Sequence, residues 1–418
     1  MFEMNQEIGM LALNLDMIQF LAFATVILLI GQFLRKRISV LEKYCIPAPV
    51  IGGLLFAILA LVLRQTGVLA FVFNNTLQSV LMTAFFTTVG FTASFRVLKK
   101  GGVKVFTFLA VAVVLVVIQN VLGVSLAKVF GLNELIGLAT GSTPMTGGHG
   151  TSGAFAPLFE DRGAIGAMSV AMAAATFGLV MGSMIGGPIA KRLIEKHKLE
   201  PDAGANIKNT EMADYPQMHE DPEFESTPLE EQLIPATITS ATIQIILAMG
   251  IGTVISAFIG QFMTFPSYIG AMFAAAIMRN ISDIKKTWKT PEVEIEMIGG
   301  IALSLFLSMA LSSLRLWELA ELAVPMVVML VAQTTLMALF AYFVTFNIMG
   351  RDFNAAVIAG GHCGFGMGAT PNAIANMQAI TGRFGPSPVA FFILPLVGSL
   401  FIDFFNAAII TTFMNFFG

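Results

Sequence analysis

Gly141-Ser142-Thr143-Pro144-Met145-Thr146-Gly147-Gly148-His149-Gly150-Thr151-Ser152-Gly153 and Gly360-Gly361-His362-Cys363-Gly364-Phe365-Gly366-Met367-Gly368-Ala369-Thr370-Pro371-Asn372 are the two stretches on which the fold turns. Neither can run as an unbroken helix, because each interior Gly costs about 1 kcal/mol and each Pro about 3 kcal/mol. Both lie among long apolar runs, so the breaks fall at membrane depth. Irregular backbone is tolerated there only where it is buried in protein or lines a watery cavity. Two broken hairpins entering from opposite faces would meet near the midplane. They would offer N–H groups at half-helix starts, which favour an anion, and carbonyls at half-helix ends, which suit a cation. Ser142, Thr143, Thr146, Thr151, Thr370 and Asn372 add hydroxyl and amide ligands. Gly147, Gly148, Gly150, Gly364, Gly366 and Gly368 allow close backbone approach to a solute, and His149 and His362 read as donors that orient a hairpin or a bound carboxylate.

The composition around these stretches is that of a membrane protein. Of 418 residues, 56% are apolar and only 12% charged, whereas a soluble surface needs roughly a quarter to a third of its residues charged. The net charge of -3 supplies no basic surface for nucleic acid, and Cys45 and Cys363 are too few for a disulfide scaffold or a Cys-rich metal site. A span needs about 20 apolar residues. Ten candidates follow, near 15–34, 47–64, 76–95, 104–129, 162–190, 234–260, 265–280, 295–314, 322–347 and 388–415. Glu3, Glu7 and Asp16 precede the first, which therefore reads as a retained span rather than a cleaved signal. With both termini outside, 19 of the 23 Lys and Arg residues fall on inner segments, as the positive-inside rule requires. That count holds only if 131–161 and 350–387 enter and leave on the same side.

The chain divides into 1–190, a polar linker at 191–232 with 11 acidic and 5 basic residues, and 233–418. Ile46 to Gly53 recurs loosely as Phe265 to Gly270, and Ala84 to Thr92 aligns with Ser304 to Ser312. Gln119 matches Gln333, with a Gly-Gly-His beyond each. Five spans per half is an odd number, so the second half is expected upside down. The expected fold is an all-α polytopic membrane protein of two inverted five-span repeats, each with a re-entrant hairpin, an architecture of secondary transporters. Asp403 lies within the last span, where a carboxylate marks a functional site by default. Ser399 and Asn406 at i-4 and i+3 would share its helix face, an oxygen stripe suited to a hard cation such as sodium or to a substrate ammonium. Gln119 and Gln333 read either as further cation ligands or as amides that join helices.

Other readings of the same residues are packing glycines, a phosphate loop and a His-Cys metal site. The phosphate loop lacks a following Gly-Lys-Ser/Thr, and three soft ligands over two hairpins make a thin metal site. A channel would show rings of polar residues along a pore, and no nucleophile and base stand at a spacing that suggests an enzyme. The motifs GGHGT at 147–151 and GGHCGFGMGATPNAIANMQAITGRFGPS at 360–387, in a duplicated chain with a central hydrophilic loop, resemble the sodium/glutamate symporter family. The resemblance implies uptake of glutamate coupled to sodium across a bacterial inner membrane, with no other cofactor. It also implies a homodimer with both termini periplasmic and the linker cytoplasmic, and an elevator-like motion. The alternative is sodium- or proton-coupled transport of another small di- or tricarboxylate.

Overall fold

A computed structural model describes residues 2–5, 10–39, 41, 46–100, 102–201, 235–262, 265–285, 288–318 and 322–418. Most of the expected linker, and Cys45, lie outside the described residues.

The chain is built from helices that begin where local chemistry starts them. Helix α1 (Met17–Arg37) opens on a capping box in which the Asp16 carboxylate accepts from the Gln19 backbone and the Gln19 side chain accepts from the Asp16 N–H. Helix α2 (Ala48–Gln65) starts after Pro47 and carries Pro49 in its first turn, where a missing N–H costs nothing. Then follow α3 (Thr76–Thr92), a short helical turn at Phe95–Lys100, α4 (Gly102–Val129), α5 (Glu134–Leu138), a single turn at Ser142–Met145, α6 (Gly148–Glu160) and α7 (Ala167–His197). The second half holds α8 (Pro235–Ile259), α9 (Ser267–Lys285), α10 (Glu292–Ser312) and α11 (Ala323–Phe340), which continues through a π turn at Ala341–Thr345. Helices α12 (Phe353–Gly366), α13 (Thr370–Phe384), α14 (Pro388–Leu400) and α15 (Ile402–Phe417) complete it.

Among the described residues, eight helices are long and apolar enough to cross a membrane, or nine if the α14–α15 pair is one span, against the ten expected. The tenth, expected at 265–280, is the 19-residue α9, whose last turns carry Arg279, Asn280, Asp283 and Lys285 and so lower its hydropathy. The span expected at 388–415 is bent by 40° between α14 and α15. Helix α7 runs on through His197, into the stretch expected as linker. A small sheet is an addition to the all-helical expectation: β1 (Phe2–Asn5) pairs antiparallel with β2 (Met10–Leu15), and β2 pairs parallel with β3 (Ala70–Phe73). The α1–α2 pair provides the crossover that a parallel pairing needs. Phe20, Phe23, Phe56, Phe71 and Phe73 hold the sheet to those helices by ring contacts.

The helices pack as two groups. Helices α1, α2 and α3 interleave with α8, α9 and α10, while α4, α7, α11 and α14 surround α12 and α13. Helix α6 lies between the groups, with Phe155 against Tyr268 of α9 and Gly153 against Phe306 of α10. At one end, Arg279 of α9 binds Asp283 at 3.2 Å, Glu292 of α10 at 2.6 Å and the Phe91 carbonyl of α3 at 3.4 Å. That guanidinium ties three helices together at the position where hydropathy fails.

Candidate functional site

Each expected hairpin is a helix, a break and a second helix. In the first, the Asn133 side chain accepts from the Leu135 N–H to start α5, Pro144 has no N–H to donate, and the chain turns at Thr146 and Gly147 before α6. Gly148 adopts φ +61°, a left-handed conformation that disfavours any side chain. In the second, the Asp352 side chain accepts from the Ala355 N–H at 2.7 Å to start α12. The break covers Met367, Gly368 and Ala369, and Thr370-Pro371 opens α13.

The two breaks come together. A Cβ on Gly148 would lie 3.0 Å from the Gly368 carbonyl oxygen. One buried amide on α4 holds both sides: Gln119 Nε2 donates to the Gly366 carbonyl at 2.7 Å, and Gln119 Oε1 accepts from Thr146 Oγ1 at 2.8 Å. Gln333 of α11 donates to the Gln119 carbonyl at 2.8 Å. Beside the first break, Asn120 Oδ1 accepts from the Ser142 N–H at 2.9 Å, and Ser142 Oγ donates to Asn406 Oδ1 at 2.7 Å. Asn406 Nδ2 returns a bond to the Ser142 carbonyl at 3.2 Å. Beside the second break, Asn372 Nδ2 donates to the Leu179 carbonyl and Asn376 Nδ2 to the Gly182 carbonyl, at 2.8 and 2.9 Å. Gly178 of α7 presses on the Met367 carbonyl.

Several buried polar atoms in this region have no partner among the described residues: Thr143 Oγ1, Asn120 Nδ2, Gln333 Oε1 and Asn372 Oδ1. Buried polar groups are nearly always paired, so these orphaned atoms are open to a further polar partner. No group of three His, Cys, Asp or Glu that could hold a metal exists among the described residues. The donors here are oxygens and amides, the ligand chemistry of hard monovalent cations and of carboxylates.

Not every expected residue converges. His149 Nε2 lies 3.0 Å from Thr176 Oγ1 of α7. His362 is enclosed by the rings of Phe108, Phe340 and Phe365, with Nδ1 2.9 Å from Thr345 Oγ1 in the π turn. Gly150 faces Phe85 and Leu303 of the other helix group, and Gly364 packs on Ala373 within its own hairpin. Thr151 sits beside Gly147, and Thr370 faces Gly398 of α14. Cys363 is buried and donates to the Ala359 carbonyl. Asp403 occupies the first turn of α15 and has no hydrogen bond or ion pair among the described residues. The break after α14 interrupts the continuous helix that was to align Ser399 with Asp403 and Asn406. The Ser399 side chain lies outside the described residues.

Asn120, Thr176, Thr345 and Asn376 were not anticipated. Asn120 carried the same signal as Gln119, an amide late in an apolar helix. Thr176 and Thr345 carried none, since a lone Thr on a membrane helix usually bonds to its own backbone.

A family model described as sodium/glutamate symporter matches residues 13–386. The sodium/glutamate symporter of Escherichia coli K12 is 43% identical over 404 residues, covering 96% of this chain and 98% of that protein. The Haemophilus influenzae protein of the same name is 42% identical over 391 residues, covering 93% and 95%. With a match of this extent through both broken hairpins, the chain belongs to the sodium/glutamate symporter family.

Proposed function

We propose that this chain imports glutamate together with sodium by alternating access, and that the meeting of the two helix breaks at Gly148 and Gly368 is where the cargo binds. That contact is the observation that carries the reading. The half-helix N-termini of α6 and α13 direct backbone N–H groups and positive dipole ends at the solute carboxylates. Ser142, Thr143, Thr146, Thr370 and Asn372 supply hydroxyl and amide groups around them. Sodium is held by carbonyls and side-chain oxygens near the breaks, with Asp403 as the one carboxylate in that helix. No Lys or Arg is read at midspan, so co-bound cations compensate the anion and bind cooperatively with it. Each sodium entering releases about 2.3 kcal/mol per 100 mV of membrane potential, so more than one ion per monoanion gives net accumulation.

The same reading takes the two halves as inverted repeats with re-entrant hairpins. Paired contacts support it. Gly52 of α2 packs on the Ile27 carbonyl of α1, and Gly270 of α9 packs on the Gly252 carbonyl of α8. Helix α3 packs on α9 as α10 packs on α2. The group formed by α1–α3 and α8–α10 then serves as a scaffold, in a homodimer, past which the hairpin-bearing group moves. The basic residues put the linker on the cytoplasmic side of a bacterial inner membrane and both termini outside.

The test is counterflow of labelled glutamate in proteoliposomes, with sodium, lithium and protons varied separately. Glutamate exchange that requires sodium supports the proposal. Exchange of another dicarboxylate in its place, or indifference to sodium, overturns it.

A further inference from the structure

At the end of the bundle where α7 and α11 finish, the Tyr342 hydroxyl oxygen accepts a hydrogen bond from Lys196 Nζ at 3.1 Å, and Arg192, one turn earlier on α7, stands on the same helix face. Lys196 also lies over the Tyr342 ring, 5.4 Å from its centroid. With its oxygen bonded to the ammonium, the exposed phenol still has its own proton to give. Among the described residues no carboxylate neutralises the two cations. Glu195, the acidic residue on this part of α7, lies 3.8 Å from Lys191, and the remaining titratable neighbour, His197, stacks near Phe346. Two cations and a phenol therefore share one exposed patch without a carboxylate among the described residues.

The surroundings set what fills it. Leu339, Phe343 and Ile348 of α11 and its continuation are exposed apolar side chains on both sides of Tyr342, which is the pattern of a helix facing acyl chains. Lys191, Arg192, Lys196 and Lys198 crowd the polar end of α7. A guanidinium fork and an ammonium one turn apart on a helix, with a phenol bonded to the ammonium, match the oxygens of a phosphate. Basic recesses between membrane helices at the cytoplasmic boundary take acidic head groups. We propose that Arg192, Lys196 and Tyr342 bind the phosphate of an anionic phospholipid whose chains lie along Leu339 and Phe343. The proposal rests on the membrane placement above, and not on which solute is carried.

Native mass spectrometry of the full-length protein, exchanged into equal amounts of phosphatidylglycerol and phosphatidylcholine, reads lipid retention without any transport. Wild-type protein is expected to keep phosphatidylglycerol preferentially. Arg192→Gln and Lys196→Gln should each weaken retention about fivefold, Lys196→Arg should preserve it, and Lys99→Gln, a cation elsewhere in the chain, should leave it unchanged. Inorganic phosphate should fail to displace the lipid. Equal loss in Lys99→Gln, undiminished retention in the Arg192→Gln, Lys196→Gln double variant, or displacement by phosphate alone would each overturn the assignment. Sodium-dependent uptake by the same double variant separates this result from a failure of the transport proposal.

Discussion

The side chain of Gln119 and the carbonyl of Gly366, 247 positions apart in sequence, are joined by a 2.7 Å hydrogen bond. Because the other end of the same amide accepts from Thr146, one residue on α4 holds the irregular backbone of both hairpins. Amide geometry makes that possible: a single side chain carries an acceptor and a donor on opposite sides.

Gln119→Leu removes both bonds at near-constant volume and strands a buried carbonyl and a hydroxyl. Membrane hydrogen bonds average about 0.6 kcal/mol and buried orphans cost about 1–3 kcal/mol. The thermal midpoint in detergent should therefore fall, and glutamate uptake should drop about tenfold. A leucine variant with the parental midpoint and uptake would show that the amide does not join the hairpins.

Gly148→Val should abolish glutamate binding while leaving the oligomer intact on size exclusion. A side chain at φ +61° costs about 1–2 kcal/mol, and its Cβ would crowd the Gly368 carbonyl. At Gly250 an added methyl would meet nothing within 4 Å, so Gly250→Ala serves as the tolerated comparison. Normal binding by Gly148→Val would separate the break from the substrate.

Asp403→Asn should cut sodium-driven uptake by about tenfold or more, since a carboxylate within a membrane helix is retained only for a role that needs its charge. The sodium concentration for half-maximal uptake should rise. An unchanged sodium dependence in proteoliposomes would remove Asp403 from the ion site.

Arg279→Ala leaves Asp283 without its cation at a site where the arginine side chain is 7% exposed. Breaking one partner of a buried ion pair costs about 3–5 kcal/mol. A large fall in the thermal midpoint is expected, with Lys99→Ala close to the parent. Parental stability in Arg279→Ala would mean that the α3, α9 and α10 junction holds by apolar packing.

Much of this molecule could be read before folding. Long apolar runs located α1, α2, α3, α4, α8, α10 and α11 to within a few residues and α7 less closely, because membrane thickness sets helix length independently of what the helix touches. Gly and Pro located both breaks for a similarly local reason. The α9 helix was expected as a short span at 265–280 and stands at Ser267–Lys285; what sequence distance concealed is that the charges of its last turns are satisfied by α3 and α10. The Asp403 stripe was legible in part, since Asp403 and Asn406 share α15 while Ser399 lies before the bend. Placing Ser399, Asp403 and Asn406 on one face assumed an uninterrupted helix, and the chain bends between α14 and α15.

The order of residues alone determined which segments are apolar helices, where their backbones must break, and which side chains bring oxygen or charge into hydrocarbon, since each follows from propensity and solvation over a few turns. Tertiary structure alone decided that Gln119 serves both breaks, that His362 is shut among phenyl rings while His149 meets Thr176, and that Asn406 is committed to Ser142. Those pairings depend on which helices become neighbours, and that is settled by packing summed over the whole bundle.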